Sequence, residues 1–373
     1  MVRRFRPLLL ILLLLIPGQV RAAQKEGRIT AKAWALVEAT SGRLLLGENE
    51  RDRRPMASTT KIMTALLVLE AGEDLDALIT VPPEAAGTEG SSMHLNAGEK
   101  LSLRDLLYGL MMVSGNDAAV TLAMHVSGSV DAFAAQMNAK AAALGCADTH
   151  FVNPHGLHDP EHYTSAYDLC RMAAAAMAEP FFRELVSTER YTTYTGDSTR
   201  SFHTKNKVLT QIEGGCGIKT GFTKKAGRCL CFGARREGML LIGAVLNAPD
   251  MWNDAQKILD RGFSDYELHT FLTLGQTVGQ VTVTGSAKKT LPAVAKEGIL
   301  YPVRKDGQDE TDLKIRLVDG LAAPVEAGAQ AGEAILTVNG EGVVSVPVIL
   351  REGAPPLTFD WFLRQVMGAY LTA

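Results

Sequence analysis

The apolar positions along the chain fall into three textures. From Ile62 to Leu69 the chain is almost continuously apolar, with no Gly or Pro before Gly72. This predicts a buried helix that starts near Ser58, and Pro55 sits just ahead, where a helix start tolerates proline. A second helical pattern runs from Leu101 to Met112, with Ser102 as N-cap, and stops at Val113-Ser114-Gly115-Asn116. Asp117 to His125, Phe133 to Leu144 and Asp254 to Phe263 read as further helices. Residues 151–170 begin as a loop rich in Pro, Gly and His and end in a helix capped near Thr164 or Ser165. Between the helices, period-two runs predict a hairpin over 29–48, a short strand over Leu78–Val81 and three antiparallel strands over 217–246.

The texture changes near Leu268–Gly279. Val281–Gly285, Lys314–Val318, Pro324–Gly328, Ala334–Gly340 and Val343–Val348 are short alternating runs broken by Gly and Asn-Gly turns, which predicts a small all-β domain. Pro355-Pro356 then breaks the chain. Beyond it Phe359, Phe362, Leu363, Val366, Met367 and Tyr370 recur at helical spacing, which points to an amphipathic helix lying on a membrane surface, or else docked on the β domain.

The N-terminus has a different purpose. Arg3, Arg4 and Arg6 precede the run Leu8–Ile16, followed by Pro17-Gly18 and Val20-Arg21-Ala22. A basic start, a short apolar core and small residues are the pattern of a secretory signal peptide, cleaved after Ala22 or Ala23. The apolar run is short for a membrane span, although an uncleaved anchor is the alternative. An exported chain permits disulfides, and the five cysteines (Cys146, Cys170, Cys216, Cys229, Cys231) leave at least one unpaired. Cys229 and Cys231 share a strand face, and either could meet Cys216 across a hairpin; most of the five read as small buried apolar residues. A net charge of −3 gives no general argument for nucleic acid. His155, His158 and His162 have no acidic or cysteine partner to complete a metal set and read as solvated loop histidines; no metal or cofactor is implied.

Candidate chemistry begins at Ser58-Thr59-Thr60-Lys61. Three-residue spacing puts Ser58 and Lys61 on one helix face, one turn apart, which is the minimum kit for a serine nucleophile with a lysine base. Alone this is a weak signal. Two more segments strengthen it: Ser114-Gly115-Asn116 in the break between two helices, and Lys219-Thr220-Gly221 on a strand before a turn. A lysine accepts a proton only when neutral, and a free lysine has a pKa of about 10.4. Burial and a second cation, Lys219, would lower that of Lys61, and the two lysines would titrate as a coupled pair.

In order and spacing the three segments resemble the serine penicillin-binding proteins and β-lactamases, and among them the D-alanyl-D-alanine carboxypeptidases that trim peptidoglycan. Asn153-Pro154-His155-Gly156-Leu157, Tyr163-Thr164-Ser165-Ala166, the β domain and the amphipathic tail resemble that family too. The resemblance implies an α+β fold: a transpeptidase-like domain with an antiparallel sheet flanked by helices (29–268), a small β-sandwich (275–353) and an anchor helix (354–373) after the leader (1–23). It implies Ser58 as acyl-ester nucleophile, Lys61 as proton acceptor and Ser114 as proton relay. Asn116, Lys219, Thr220, Gly221 and Phe222 would bind substrate, the backbone N–H groups of Ser58 and Phe222 forming the oxyanion site. Gly221 would let the substrate backbone lie close to the strand. The implied partners are peptidoglycan stems ending in D-Ala-D-Ala, β-lactams as inhibitors, and the outer face of the cytoplasmic membrane.

Two departures stand out. Some relatives carry His after Lys-Thr-Gly, where this chain has Phe222. Several carry an arginine at a place that falls near Met251 here, so the substrate carboxylate would rest on Lys219, Thr220 and Thr223 or on Arg228. The competing readings are a DD-endopeptidase, a class A β-lactamase and a non-catalytic wall-binding protein. Gly115 between Ser114 and Asn116, and the lack of a Glu-x-x-Leu-Asn pattern, argue against the β-lactamase. A pure binder has no need of Lys61.

Overall fold

A computed structural model of the protein describes residues 27–195 and 198–372; the expected leader, 1–23, lies outside them. The centre of the first body is a five-stranded antiparallel sheet. Its spatial order is Leu44–Glu48, Ala33–Glu38, Met239–Leu246, Gly227–Arg236 and Gly215–Thr223. Met239–Leu246 is buried at every position because both faces of the sheet are covered. On one face Trp34, Leu36, Leu230, Phe232 and Leu241 pack against Ile258 and Leu259 of the helix Met251–Asp265. On the other, Ala35, Val37, Cys231 and Ala244 meet a larger helical layer that includes Lys61–Glu70, Asn116–Ser127 and Ala166–Ala178. Small residues on this second face let the helices approach closely. The helix Ala166–Ala178 is capped by the Ser165 hydroxyl, which accepts from the Asp168 N–H.

Several boundaries depart from expectation. Leu101–Met112 is not one helix. Lys100–Ser102 is a strand paired with Leu78–Thr80, Leu103–Tyr108 is α-helical, and Gly109–Val113 is a π turn. Pro180–Ser187 is an amphipathic helix with its proline in the first turn and Phe182, Leu185 and Val186 buried, and Arg190–Thr195 pairs with Ser198–His203; the sequence reading assigned neither. Cys231 lies opposite Lys219 and Cys229 opposite Gly221, so neither faces Cys216, and all five thiols are free.

The second body has its own core around Leu291, Leu336 and Val348. A six-stranded sheet holds the segments read as Val281–Gly285, Lys314–Val318, Ala334–Gly340 and Val343–Val348. Pro324–Gly328 is not a strand: Pro324 has no N–H to donate, and Val325 makes a single bridge to Ala354. Tyr266–Leu272 pairs with Ile299–Arg304, so the change of texture near Leu268 falls inside a strand of this body. Arg43 joins the two bodies. Its guanidinium donates to both carboxylate oxygens of Asp309 and to the Pro302 carbonyl, and stacks near Tyr266 and Tyr301. The chain ends in the helix Phe359–Thr372, whose Phe359, Phe362, Leu363, Val366, Met367, Tyr370 and Leu371 are exposed. No single described helix is long and apolar enough to cross a membrane.

Candidate active site

Ser58 lies in a short 3₁₀ turn, Ala57–Thr60, that feeds directly into the helix Lys61–Glu70. The turn is tight. Ala57 has φ +49°, a left-handed conformation that a non-glycine residue holds only when its surroundings over-determine it. The neighbours do so. The Gly156 Cα comes so near that an added Cβ would sit 1.9 Å from the Ala57 carbonyl oxygen. From the other side Gly221 presses close, with the direction of its missing side chain pointing at the Ser58 nitrogen 2.9 Å away. Gly221 therefore makes room for the nucleophile turn itself, which refines the expectation that it serves the substrate backbone.

Lys61 is fully buried. Its Nζ lies 2.7 Å from Asn116 Oδ1, 2.7 Å from the His155 carbonyl and 3.2 Å from Ser58 Oγ. The first two partners can only accept. A neutral amine uses both its hydrogens on them and turns its lone pair toward the Ser58 hydroxyl. Burial above all, then the charge of Lys219, pushes the Lys61 pKa well down, against an opposing pull from Asp117. The Asn116 amide is fixed at both ends, because its Nδ2 donates to the Glu89 carbonyl at 2.6 Å.

Ser114 ends the π turn with φ +64°, and its Oγ accepts from Lys219 Nζ at 3.1 Å. Lys219 also donates to the Thr220 carbonyl, and burial brings its pKa down to about 7. Lys219 and Gly221 share a face of the strand Gly215–Thr223, the one that packs on the Ser58 turn. This strand is at the edge of its sheet, so one row of its backbone groups is open to the cleft.

All three sequence motifs therefore meet at one cleft of about 470 Å³, lined by Ser58, Ser114, Lys219, Thr220, Gly221 and Phe222 among others. Phe222 presents its ring to solvent, 65% exposed. Met251 and Arg228 line the same cleft, as does Lys205; the described lining holds no carboxylate. Thr223, the further candidate for carboxylate binding, is not in that lining and accepts from the Ala226 N–H in the turn.

Two histidines correct the sequence reading. His162 is buried and His155 half-buried; burial, the largest cause for each, holds His155 down to about 3 and His162 to about 4. His162 Nε2 is 2.8 Å from Thr60 Oγ1. Nothing in their spacing signals this, since they meet the nucleophile turn only across the fold. Asp117, read in the sequence only as a helix start, accepts from Met93 and Leu95 N–H and Ser92 Oγ and so fastens the segment that leads to the cleft.

Comparison with known proteins gives the family. The family model described as D-alanyl-D-alanine carboxypeptidase matches residues 19–250, and that of the penicillin-binding protein 5 C-terminal domain matches 266–354. The chain is 34% identical to D-alanyl-D-alanine carboxypeptidase DacF of Bacillus subtilis, over 99% of this chain and 98% of the relative. It is 30% identical to the DacA carboxypeptidase of Haemophilus influenzae, over 92% and 91%. The crystal structure of penicillin-binding protein 5 from Haemophilus influenzae superposes with a TM-score of 0.74 at 28% identity, covering 88% of this chain and 98% of that one. A family model over residues 19–250 and a relative 34% identical along almost the whole chain place it: the chain is a member of the peptidase S11 family of D-alanyl-D-alanine carboxypeptidases.

Proposed function

We propose that this chain removes the terminal D-alanine from peptidoglycan stem peptides through an acyl-enzyme on Ser58. The observation that carries the reading is the contact set of Lys61 Nζ: two carbonyl acceptors at 2.7 Å and Ser58 Oγ at 3.2 Å, so that a neutral amine giving its hydrogens to the carbonyls has its lone pair left for Ser58. Ser58 Oγ attacks the carbonyl between the two D-alanines as its proton passes to Lys61. The tetrahedral oxyanion is held by the backbone N–H groups of Ser58 and Phe222. As the C–N bond breaks, the departing amine takes a proton along Lys61 and Ser114. Water then attacks the ester, returning Ser58 and releasing the shortened stem.

The substrate lies along the open edge of Gly215–Thr223, adding a strand to the sheet. Asn116 orients Lys61. Lys219, Thr220 and Arg228 receive the terminal carboxylate, which suits a cleft lined by the basic side chains Lys205, Lys219 and Arg228 with no carboxylate in its described lining. The same lining offers no glutamate to activate water against a penicilloyl ester, so β-lactams act as inhibitors. The protein is exported by its leader and held on the outer face of the cytoplasmic membrane by the helix Phe359–Thr372, whose apolar side chains lack cover.

Two measurements test the site. A fluorescent penicillin should label the protein, and Ser58→Ala should abolish the label; persistent labelling removes Ser58 as nucleophile. A muropeptide ending in D-Ala-D-Ala should release free D-alanine, insensitive to chelators. Release of a fragment from within a cross-link would make the enzyme an endopeptidase.

A further inference from the structure

His162 is a buried polar side chain that the mechanism above does not use. It sits in the loop after Asn153–Leu157, and it is 2% exposed. Both ring nitrogens are engaged. The Val152 N–H donates to Nδ1 at 3.1 Å, so Nδ1 carries a lone pair. The neutral ring then bears its proton on Nε2, which faces Thr60 Oγ1 at 2.8 Å. Thr60 Oγ1 has one hydrogen of its own, and it goes to the Ala57 carbonyl at 2.8 Å. The direction is thus fixed along the whole row: Val152 N–H to His162, His162 to Thr60, Thr60 to Ala57.

The last acceptor matters most. The Ala57 carbonyl and the Ser58 N–H belong to one planar trans peptide, in which C=O and N–H point in opposite directions. Whatever holds that carbonyl sets the direction of that N–H. The Ser58 N–H makes no hydrogen bond among the described residues. The same peptide follows the left-handed Ala57, a conformation that would relax by rotating if released.

We propose that His162 is a positioning residue: through Thr60 it locks the Ala57–Ser58 peptide so that the Ser58 N–H is aimed at the developing oxyanion. The inference rests on Ser58 being the nucleophile with its own N–H as an oxyanion donor. His162 touches neither substrate nor reacting atoms. Its effect appears where the oxyanion forms, in the rate of acylation, and not in the first association of substrate.

The test compares matched variants by stopped-flow acylation with a fluorescent penicillin, separating the pre-acylation dissociation constant from the acylation rate constant. Thr60→Val keeps shape and deletes the hydroxyl; His162→Phe keeps a ring and deletes the donor. Both should lower the acylation rate constant roughly 10-fold or more, because a misdirected oxyanion donor loses most of its value. The dissociation constant should stay within about 2-fold, since ground-state binding is unchanged. Thr60→Ser, and His162→Gln with its amide N–H near the Nε2 place, should recover most of the rate. A peptide boronic acid ending in a D-alanine analogue, whose tetrahedral adduct carries an oxygen at the oxyanion position, should lose affinity in parallel with the rate. The proposal is overturned if folded Thr60→Val acylates at the wild-type rate, or if Thr60→Ser falls as far as Thr60→Val. Should His162→Phe fail to fold, the Thr60 pair still decides. Ser58→Ala in the same series separates the two levels: residual labelling there defeats the nucleophile reading, whereas wild-type rates in the Thr60 and His162 variants defeat only the positioning row.

Discussion

Gly156→Ala probes how tightly the nucleophile turn is clamped. Gly156 has φ +93°, and a Cβ built there falls 1.9 Å from the Ala57 carbonyl oxygen and 2.8 Å from Thr60 Oγ1. Two costs follow. A left-handed alanine costs about 1–2 kcal/mol relative to a relaxed backbone. Forcing a methyl into a packed contact adds roughly 1–3 kcal/mol. The first can be measured alone at Gly128, which has φ +76° and nothing within 4 Å of an added Cβ. Gly128→Ala should therefore lose about 1–2 kcal/mol and Gly156→Ala about 2–5 kcal/mol. In thermal unfolding each kcal/mol is worth roughly 2–4 °C for a domain of this size. The functional effect is larger. The contact must open from 1.9 Å to at least 3.0 Å, and the Ala57–Ser58 peptide is what moves. A shift of about 1 Å at the reacting group lowers the rate on the order of 10²-fold. The assay is penicillin acylation followed at a temperature where both variants are folded. The reasoning fails if Gly156→Ala acylates at the rate of Gly128→Ala, or if the two variants melt together.

Arg228→Ala should raise KM for D-Ala-D-Ala substrates roughly 10-fold, in line with loss of one charge-assisted hydrogen bond, and leave KM for a C-terminally amidated analogue unchanged; equal effects on both would exclude carboxylate binding by Arg228. Arg43→Ala should cost about 1.5–3 kcal/mol, because it removes the bidentate partner of Asp309 and leaves the carboxylate only the Arg304 N–H and Asn339 Nδ2. The hydrogen bonds from Arg43 hold the Asp309 pKa below its ordinary value. Its contribution to stability is therefore complete above the unfolded carboxylate pKa of about 3.9 and is lost as pH falls through the lower folded value. Calorimetry between neutral pH and pH 2 should show a larger acid loss in the wild type than in Arg43→Ala, where the Arg304 N–H and Asn339 remain; parallel curves would refute the assignment. Removing residues 359–372 should abolish sedimentation with phospholipid vesicles and leave D-alanine release intact, and undiminished binding would place the attachment elsewhere.

Some of this protein is written in local sequence. Ser58 and Lys61 are neighbours by helical spacing alone, and Lys61 Nζ does lie 3.2 Å from Ser58 Oγ. The three-strand run over 217–246, the Ser165 cap and the alternating strands of the second body also depend on contacts a few residues apart, which period and turn chemistry reveal. Local pattern could also mislead. Leu101–Met112 has an unbroken helical rhythm, yet its start pairs as a strand and its last turn widens into a π turn, which places Ser114 in a left-handed conformation that no propensity encodes.

What the sequence by itself determined is the inventory: a serine and lysine one turn apart, a second serine with an asparagine, a lysine on a strand, and an apolar tail. The tertiary structure decided what those groups are chemically. The Lys61 pKa is pushed well down because helices and sheet bury it beside Lys219, a residue from a strand far along the chain. The Ser58 turn is strained because Gly156 and Gly221 press on it from two other elements. His155 contributes a backbone carbonyl, which no side-chain motif records. The reason is physical: spacing along a chain fixes neighbours within a helical turn or a strand, whereas desolvation, like-charge proximity and close backbone approach are sums over everything the fold brings near.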